Sequence, residues 1–386
     1  MRLIARHYLD GRWTEITLAD GRIESVTPVE GRSEIDPGDP WITPAFWDLQ
    51  LNGRWGHSFS SPDLTVEQVA EIVRAQATLG TARLCPTLIT ARVPDMLHGL
   101  RSIASACDRF PDVAARVLGI HLEGPFLSPL AGYRGAHPAE AMRDPGWSLF
   151  QEFQAAAGGR IVLVTLAPER DASLEFIARA SREGIAVALG HTAADGKVIQ
   201  AAARAGARLS THLGNGIEST LPRHPNPIWD QAACDDLFAS FIADGHHLGA
   251  STLRVLTRAK GPGRTVLVTD ASPLAGQPPG RYGEWAVEPS GKVVVSGTPY
   301  LAGSNVTLSE SLTRLFEATA WSLPDLLATV TINPARVLGR PAPRIEPGEP
   351  ANLVLFRFAG ADRFTLSHTC VDGQWYDSER ATTDPQ

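Results

Sequence analysis

A (β/α)8 barrel carrying a small β-sandwich domain made from both chain ends is the fold the sequence predicts. Three observations predict it. Eight short apolar runs cross the chain, at 41–46, 82–85, 117–120, 161–164, 185–189, 207–209, 238–242 and 265–268. Stretches with helical spacing separate most of them, and repeated strand-then-helix units imply a parallel sheet that eight units can close. The two ends share another character, with short strands and tight turns. At 386 residues the chain suits a barrel plus a smaller module.

At the start, Asp10-Gly11 and Asp20-Gly21 are hairpin signals flanked by alternating apolar and polar residues. Residues 1–42 therefore read as strands of the small domain. Residues 43–340 read as the barrel. Within it, residues 65–79 place Val66, Val69, Ala70, Ile72, Val73 and Ala77 on one helical face. Residues 174–182, 197–205 and 250–259 follow the same rule. Residues 277–300 are richer in Gly, Pro and β-formers and read as a hairpin inserted after the eighth run, a natural lid over the rim. Pro341, Pro343, Pro347 and Pro350 mark the return linker, and residues 341–386 resume the strand character of the first 42. The two ends are expected to pair in one small domain.

Composition narrows the function. Hydrophobic residues make up 43% and charged residues 20%, the profile of a soluble globular protein. A net charge of −7 provides no general basic field, which argues against nucleic acid as a partner. No stretch approaches the roughly 18 uninterrupted apolar residues of a membrane helix, so no membrane association is expected. The N-terminal residues lack the apolar core of a signal peptide. Cys85, Cys107, Cys234 and Cys370 form no CxxC pair, and so sparse a set fits a reducing compartment, the cytoplasm.

In such a barrel, polar residues just beyond strand C-termini form the active-site rim. Gln50, Thr87, Glu123, Pro168, His191, His212, Asp244 and Asp270 follow the eight runs in order. Glu123, His191 and His212 are a metal-ligating set, since a catalytic Zn²⁺ takes imidazole nitrogen and carboxylate oxygen at three positions and keeps a fourth open. Singly, each has a structural reading: a hydrogen-bonded core histidine, or a glutamate capping the turn at Gly124-Pro125. Asp270 can exchange protons with a water at that centre or cap a helix opening at Ala271-Ser272-Pro273. Asp244 has the same two readings, and the structural one is preferred.

Ordered words along residues 40–340 carry a resemblance. They include Asp48-Leu49-Gln50-Leu51-Asn52-Gly53, Pro86-Thr87-Leu88-Ile89-Thr90, His121-Leu122-Glu123-Gly124-Pro125, Gly135-Ala136-His137, Gly190-His191-Thr192, Thr211-His212-Leu213, Ile242-Ala243-Asp244-Gly245, Val268-Thr269-Asp270-Ala271 and Leu301-Ala302-Gly303-Ser304. With these, the chain resembles the N-acetylglucosamine-6-phosphate deacetylase family of the amidohydrolase superfamily. The resemblance implies a hydrolase that removes acetyl from an N-acetylamino sugar, phosphorylated at C6. It implies Glu123, His191 and His212 as ligands of one divalent ion, Zn²⁺. Gln50 stands where related enzymes carry a His-x-His pair for a second metal. Asp270 is then the general base and acid, and His137 the donor to the amide carbonyl. Asn215, Gly216, Arg223 and His247 become substrate-binding positions together with Gln50, and a homodimer completes the phosphate site. The family's usual Asn-Ala-Met is Asn215-Gly216-Ile217 here, and its Arg-Glu-Pro-Gly is Arg223-His224-Pro225-Asn226. Trp229 could stack on a sugar face, but a packed aromatic is the expectation. Rival readings are an amidohydrolase for another N-acyl substrate, such as an epimeric or unphosphorylated amino sugar or an N-acyl-amino acid, and a non-catalytic barrel scaffold.

Overall fold

The structure, a computed structural model, describes residues 1–31, 36, 38–298, 300–358 and 364–378. Eight parallel strands form one sheet in chain order: Phe46–Leu51, Thr81–Ile89, Ile120–Glu123, Ile161–Leu166, Ala186–Leu189, Leu209–Ser210, Phe238–Phe241 and Thr265–Leu267. The last strand meets the first through a parallel bridge between Leu51 and Ala271. Two backbone bonds hold that seam: Asp270 N–H to Gln50 O at 2.9 Å and Asn52 N–H to Ala271 O at 3.0 Å. The barrel is thereby closed.

Helices fill the connections. Val66–Ala75 opens at a capping box in which the Thr65 hydroxyl accepts from Gln68 N–H while the Gln68 side chain reaches back. Gly196–Ala205 opens at Asp195, whose carboxylate accepts two backbone N–H groups. Their apolar stripes pack on the barrel's outer face in a core that includes Val69, Leu88, Ile120, Val164, Ile177 and Val187. Leu49, Cys85, Leu163, Ala188, Leu209 and Val266 fill a second, inner cluster. A filled interior leaves only the rim free for chemistry.

The chain ends pair as expected. Strands from both join in one seven-stranded sheet, with Pro40–Pro44 in its middle between Arg2–His7 and Leu353–Phe358. Ile23 N–H bonds Glu349 O at 2.9 Å and Ala351 N–H bonds Gly21 O at 2.8 Å, folding the sheet back on itself. The first apolar run divides here. Its residues to Pro44 belong to this sheet, and the barrel begins at Phe46. One run without a charged residue hides the change because both strands are almost wholly buried. Gln50 thus lies inside the first barrel strand, and Glu123 is the last residue of the third.

The inserted segment is more than a hairpin. Gly280–Tyr282, Trp285–Val287 and Val293–Val295 form a three-stranded antiparallel sheet. Its apolar cluster of Leu274, Val287, Val293 and Ala302 is separate from the barrel core. All four cysteines are buried free thiols. Among the described residues, no helix is long and apolar enough to cross a membrane.

Candidate active site

Three of the rim residues share a backbone oddity. His191, His212 and Asp270 have φ of 50°, 29° and 47°, left-handed values that cost energy for a residue with a Cβ. Such strain persists only where surrounding structure holds it, and it clusters at functional sites. Each lies two or three residues past the end of its strand, where the left-handed turn carries the side chain over the barrel.

The side chains converge. One ligand atom each from Glu123, His191 and His212 lies within 4.8 Å of the others, and all three residues are buried. Glu123 Oε1 stands 2.9 Å from His212 Nε2 and 3.5 Å from His191 Nε2. His191 Nδ1–H donates to Tyr133 O at 2.8 Å, which fixes the tautomer and leaves Nε2 as the lone-pair atom facing Glu123. Burial works to raise the Glu123 carboxyl, but the two histidines outweigh it and hold it well below the usual range. Two imidazole nitrogens and one ionised carboxylate in a water-poor spot make a donor set that fits a divalent ion such as Zn²⁺.

Asp270 lies beside this centre. Gln50 Nε2 donates to its Oδ1 at 3.1 Å and Asn52 Nδ2 donates to the same atom at 2.7 Å. Gln50 Nε2 also donates to Glu123 Oε2 at 3.0 Å, so one amide bridges the two carboxylates. Burial, and then the Glu123 charge, raises the Asp270 pKa to about 6. No helix follows Asp270, so the capping reading fails.

His137 stands opposite, its ring edge-on to His191 with centroids 4.4 Å apart. Thr90 N–H points to His137 Nδ1 at 3.4 Å and the Thr90 hydroxyl is 3.0 Å from it. Nδ1 is therefore an acceptor and Nε2 carries the proton. Burial and the neighbouring His191 lower its pKa to about 3, so the ring is a neutral donor near pH 7.

A cavity of about 260 Å³ opens over these groups. Glu123, His137, His191, His212, Asp270 and Asn52 line its floor, Asn215, Gly216 and His247 one wall, and Trp285 and Tyr300 of the insertion its roof. Asp244 is a tie: its Oδ1 accepts the N–H groups of His246 and His247, and its Oδ2 lies 2.6 Å from His247 Nδ1. That orients the His247 ring in the wall. Gln50 is buried beneath the cavity and does not line it. Arg223 is exposed and outside it. Trp229 corrects the packing expectation: it is 49% exposed on the helix Pro227–Ala233 and takes no part in the cavity. Asn52 was absent from the sequence-derived set. Its signal was the position two residues after Gln50, where strand alternation puts both side chains on one side.

The departure at Asn215-Gly216-Ile217 has a local cause. Gly216 has φ of +59°, and a Cβ there would meet His191 Nδ1 at 2.5 Å. Only glycine lets this loop approach the metal-site histidine so closely.

Residues 41–376 match the amidohydrolase family. The chain is 36% identical over 316 residues to the N-acetylglucosamine-6-phosphate deacetylase of Rattus norvegicus, covering 79% of this chain and 76% of that protein. It is 33% identical over 338 residues to the Bacillus subtilis (strain 168) enzyme of the same name, covering 84% and 83%. Its fold superposes on the crystal structure of N-acetyl-D-glucosamine-6-phosphate deacetylase from Mycobacterium smegmatis with a TM-score of 0.84, at 30% identity and over 94% and 95% of the two chains. A mutant of that enzyme has been solved in complex with N-acetyl-D-glucosamine-6-phosphate.

Proposed function

The chain belongs to the N-acetylglucosamine-6-phosphate deacetylase family of amidohydrolases, and from that premise we propose that it hydrolyses N-acetylglucosamine 6-phosphate to acetate and the amino sugar phosphate. The observation that carries the reading is the meeting of Glu123, His191 and His212 beside Asp270 at the floor of one cavity.

Glu123, His191 and His212 would hold one divalent ion, Zn²⁺ by its fit to this donor set, and the chemistry it would supply there is Lewis acidity. One ion per chain suffices, because the Gln50 amide already satisfies the carboxylate oxygens of Glu123 and Asp270 that a second ion would take. Asp270 accepts a proton from the attacking water, and a pKa near neutrality suits that role. His137 donates its Nε2–H to the carbonyl oxygen as negative charge develops there. Asp270 then passes its proton to the departing nitrogen. A carboxylate with one oxygen tied by two amides keeps the other for this shuttle.

At the far wall, Asn215, Gly216 and His247 meet the phosphate. Arg223 lies on the surface of its own chain and serves the cavity of a second copy in a homodimer, where its planar fork suits phosphate. Four buried thiols are consistent with a cytoplasmic enzyme.

A panel of N-acetylhexosamines, gluco and galacto, with and without 6-phosphate, tests the reading by acetate release from metal-replete protein. The gluco 6-phosphate should have the highest kcat/KM, with about one metal equivalent per chain by elemental analysis. Two equivalents would remove the assignment to Gln50. Preference for an unphosphorylated sugar would remove the phosphate site and leave a deacetylase of another amino sugar.

A further inference from the structure

We infer that Asn52 is a catalytic residue that binds the N–H of the scissile amide while its own amide group fixes the base. The inference rests on the deacetylase reading above. Asn52 is buried, 6% exposed, and lines the cavity floor. Its Nδ2 donates to Asp270 Oδ1 at 2.7 Å. That bond settles which end of the carboxamide is which, because an ionised carboxylate only accepts. The other end, Oδ1, is buried and has no hydrogen-bond partner among the described residues. A buried amide oxygen without a donor is a costly arrangement, and on a residue that lines a cavity it marks a place for a ligand donor.

The chemistry specifies the donor. Water oxygen bonds to the carbonyl carbon, and one of its protons passes to Asp270. The C–N bond then breaks, its electron pair stays on nitrogen, and the proton moves from Asp270 to that pair. To receive the proton, the nitrogen must turn its developing lone pair toward Asp270. Its own hydrogen, retained throughout, must then point to another acceptor next to Asp270. Asn52 Oδ1 belongs to the carboxamide that already holds Asp270 and is the acceptor in that position. Glu123 Oε2 is occupied by Gln50, and the other floor residues His137, His191 and His212 present ring nitrogens committed to the carbonyl or the metal. The N–H of a nitrogen that is taking up the proton from Asp270 as the C–N bond breaks is a stronger donor than the amide N–H, so the bond to Asn52 acts on that transition state more than on bound substrate.

The test compares Asn52→Leu with wild type on two substrates. One is the N-acetylamino sugar phosphate. The other is its O-acetyl ester analogue, in which oxygen replaces the N–H. Loss of the hold on Asp270 affects both. Loss of the N–H acceptor affects the amide alone. The expected result is an amide-to-ester ratio of kcat that falls roughly 10- to 100-fold, the worth of one hydrogen bond to a developing charge, with KM for the amide little changed and the metal still bound. Asn52→Ala, which is smaller and cannot crowd the barrel seam, should move the ratio the same way. Equal losses on amide and ester in both variants would overturn the N–H contact, and so would an unchanged ratio at wild-type rates. Wild-type enzyme that hydrolyses neither substrate would overturn the deacetylase reading itself, a separate outcome.

Discussion

Two protons decide the chemistry at the residue scale. The first is the one on His137. Thr90 donates to Nδ1, so the ring presents Nε2–H to the cavity, and burial keeps it neutral. His137→Gln keeps a donor of different reach and should lower kcat by about 10²-fold, as oxyanion donors do, while KM moves little. An unchanged kcat with a raised KM would assign His137 to ground-state binding. The second proton is the one Asp270 is proposed to accept. Its pKa is raised to about 6, so activity is present where the carboxylate is ionised and is lost as pH falls through that value. A cation held next to Asp270 favours the carboxylate, so the acidic limb of kcat/KM should lie at about 6 or below. Asp270→Asn should lose at least ~10²-fold in kcat and retain its metal. A limb above pH 7, or a variant with wild-type turnover, would remove Asp270 from the mechanism.

At the element scale, Glu123, His191, His212 and Asp270 are placed at or just past strand ends, and this is why much of the site was legible in the sequence. Apolar runs show where strands stop, and a barrel puts all eight C-termini on one rim. Glu123, His191, His212 and Asp270 could be read from that alone. What escaped had a physical reason in each case. Asn52 carries no titratable group, so a search for ligands and bases passes over it. His121 is a histidine within the third strand, yet its nitrogens face Leu49 O at 3.1 Å and Thr165 Oγ1 at 2.7 Å, and it is a core tie that composition cannot distinguish from a ligand. The first run concealed a change of sheet at Ala45 because no charged residue interrupts it. The loop after the sixth strand offers a prediction of its own. Gly216→Ala restores the residue usual in the family, but its Cβ would strike His191 Nδ1. The ring or the loop must then move. The variant should bind metal at least ~10-fold more weakly, as expected when a ligand's orientation is disturbed. Wild-type metal affinity would mean that the loop yields without cost.

At the scale of the whole molecule, one chain holds the proposed metal ligands, the proposed base and oxyanion donor and one wall of the cavity, and of the proposed substrate-binding residues Arg223 lies exposed and apart from them. Nothing in a single sequence says whether a residue serves its own chain or a neighbour, because spacing along a chain is blind to symmetry. A two-fold dimer would place each Arg223 at the other copy's cavity. Arg223→Ala should then cost about 2–5 kcal/mol in kcat/KM on the phosphorylated sugar, the range for a broken buried charge pair. The unphosphorylated sugar should be nearly unaffected, having no charge to pair. Complementation distinguishes supply from a neighbour from supply within the chain. Co-expressed Arg223→Ala and Asp270→Asn chains form mixed dimers in which one cavity combines an intact Asp270 with an intact partner arginine. Random pairing should then return about a quarter of the wild-type activity from two variants that are each nearly inactive, because half of the dimers carry one complete site out of two. If Arg223 acted within its own chain, no mixed dimer would hold a complete site and the mixture would be as inactive as its components. Equal losses on the phosphorylated and unphosphorylated sugars would instead make Arg223 a structural residue of its loop.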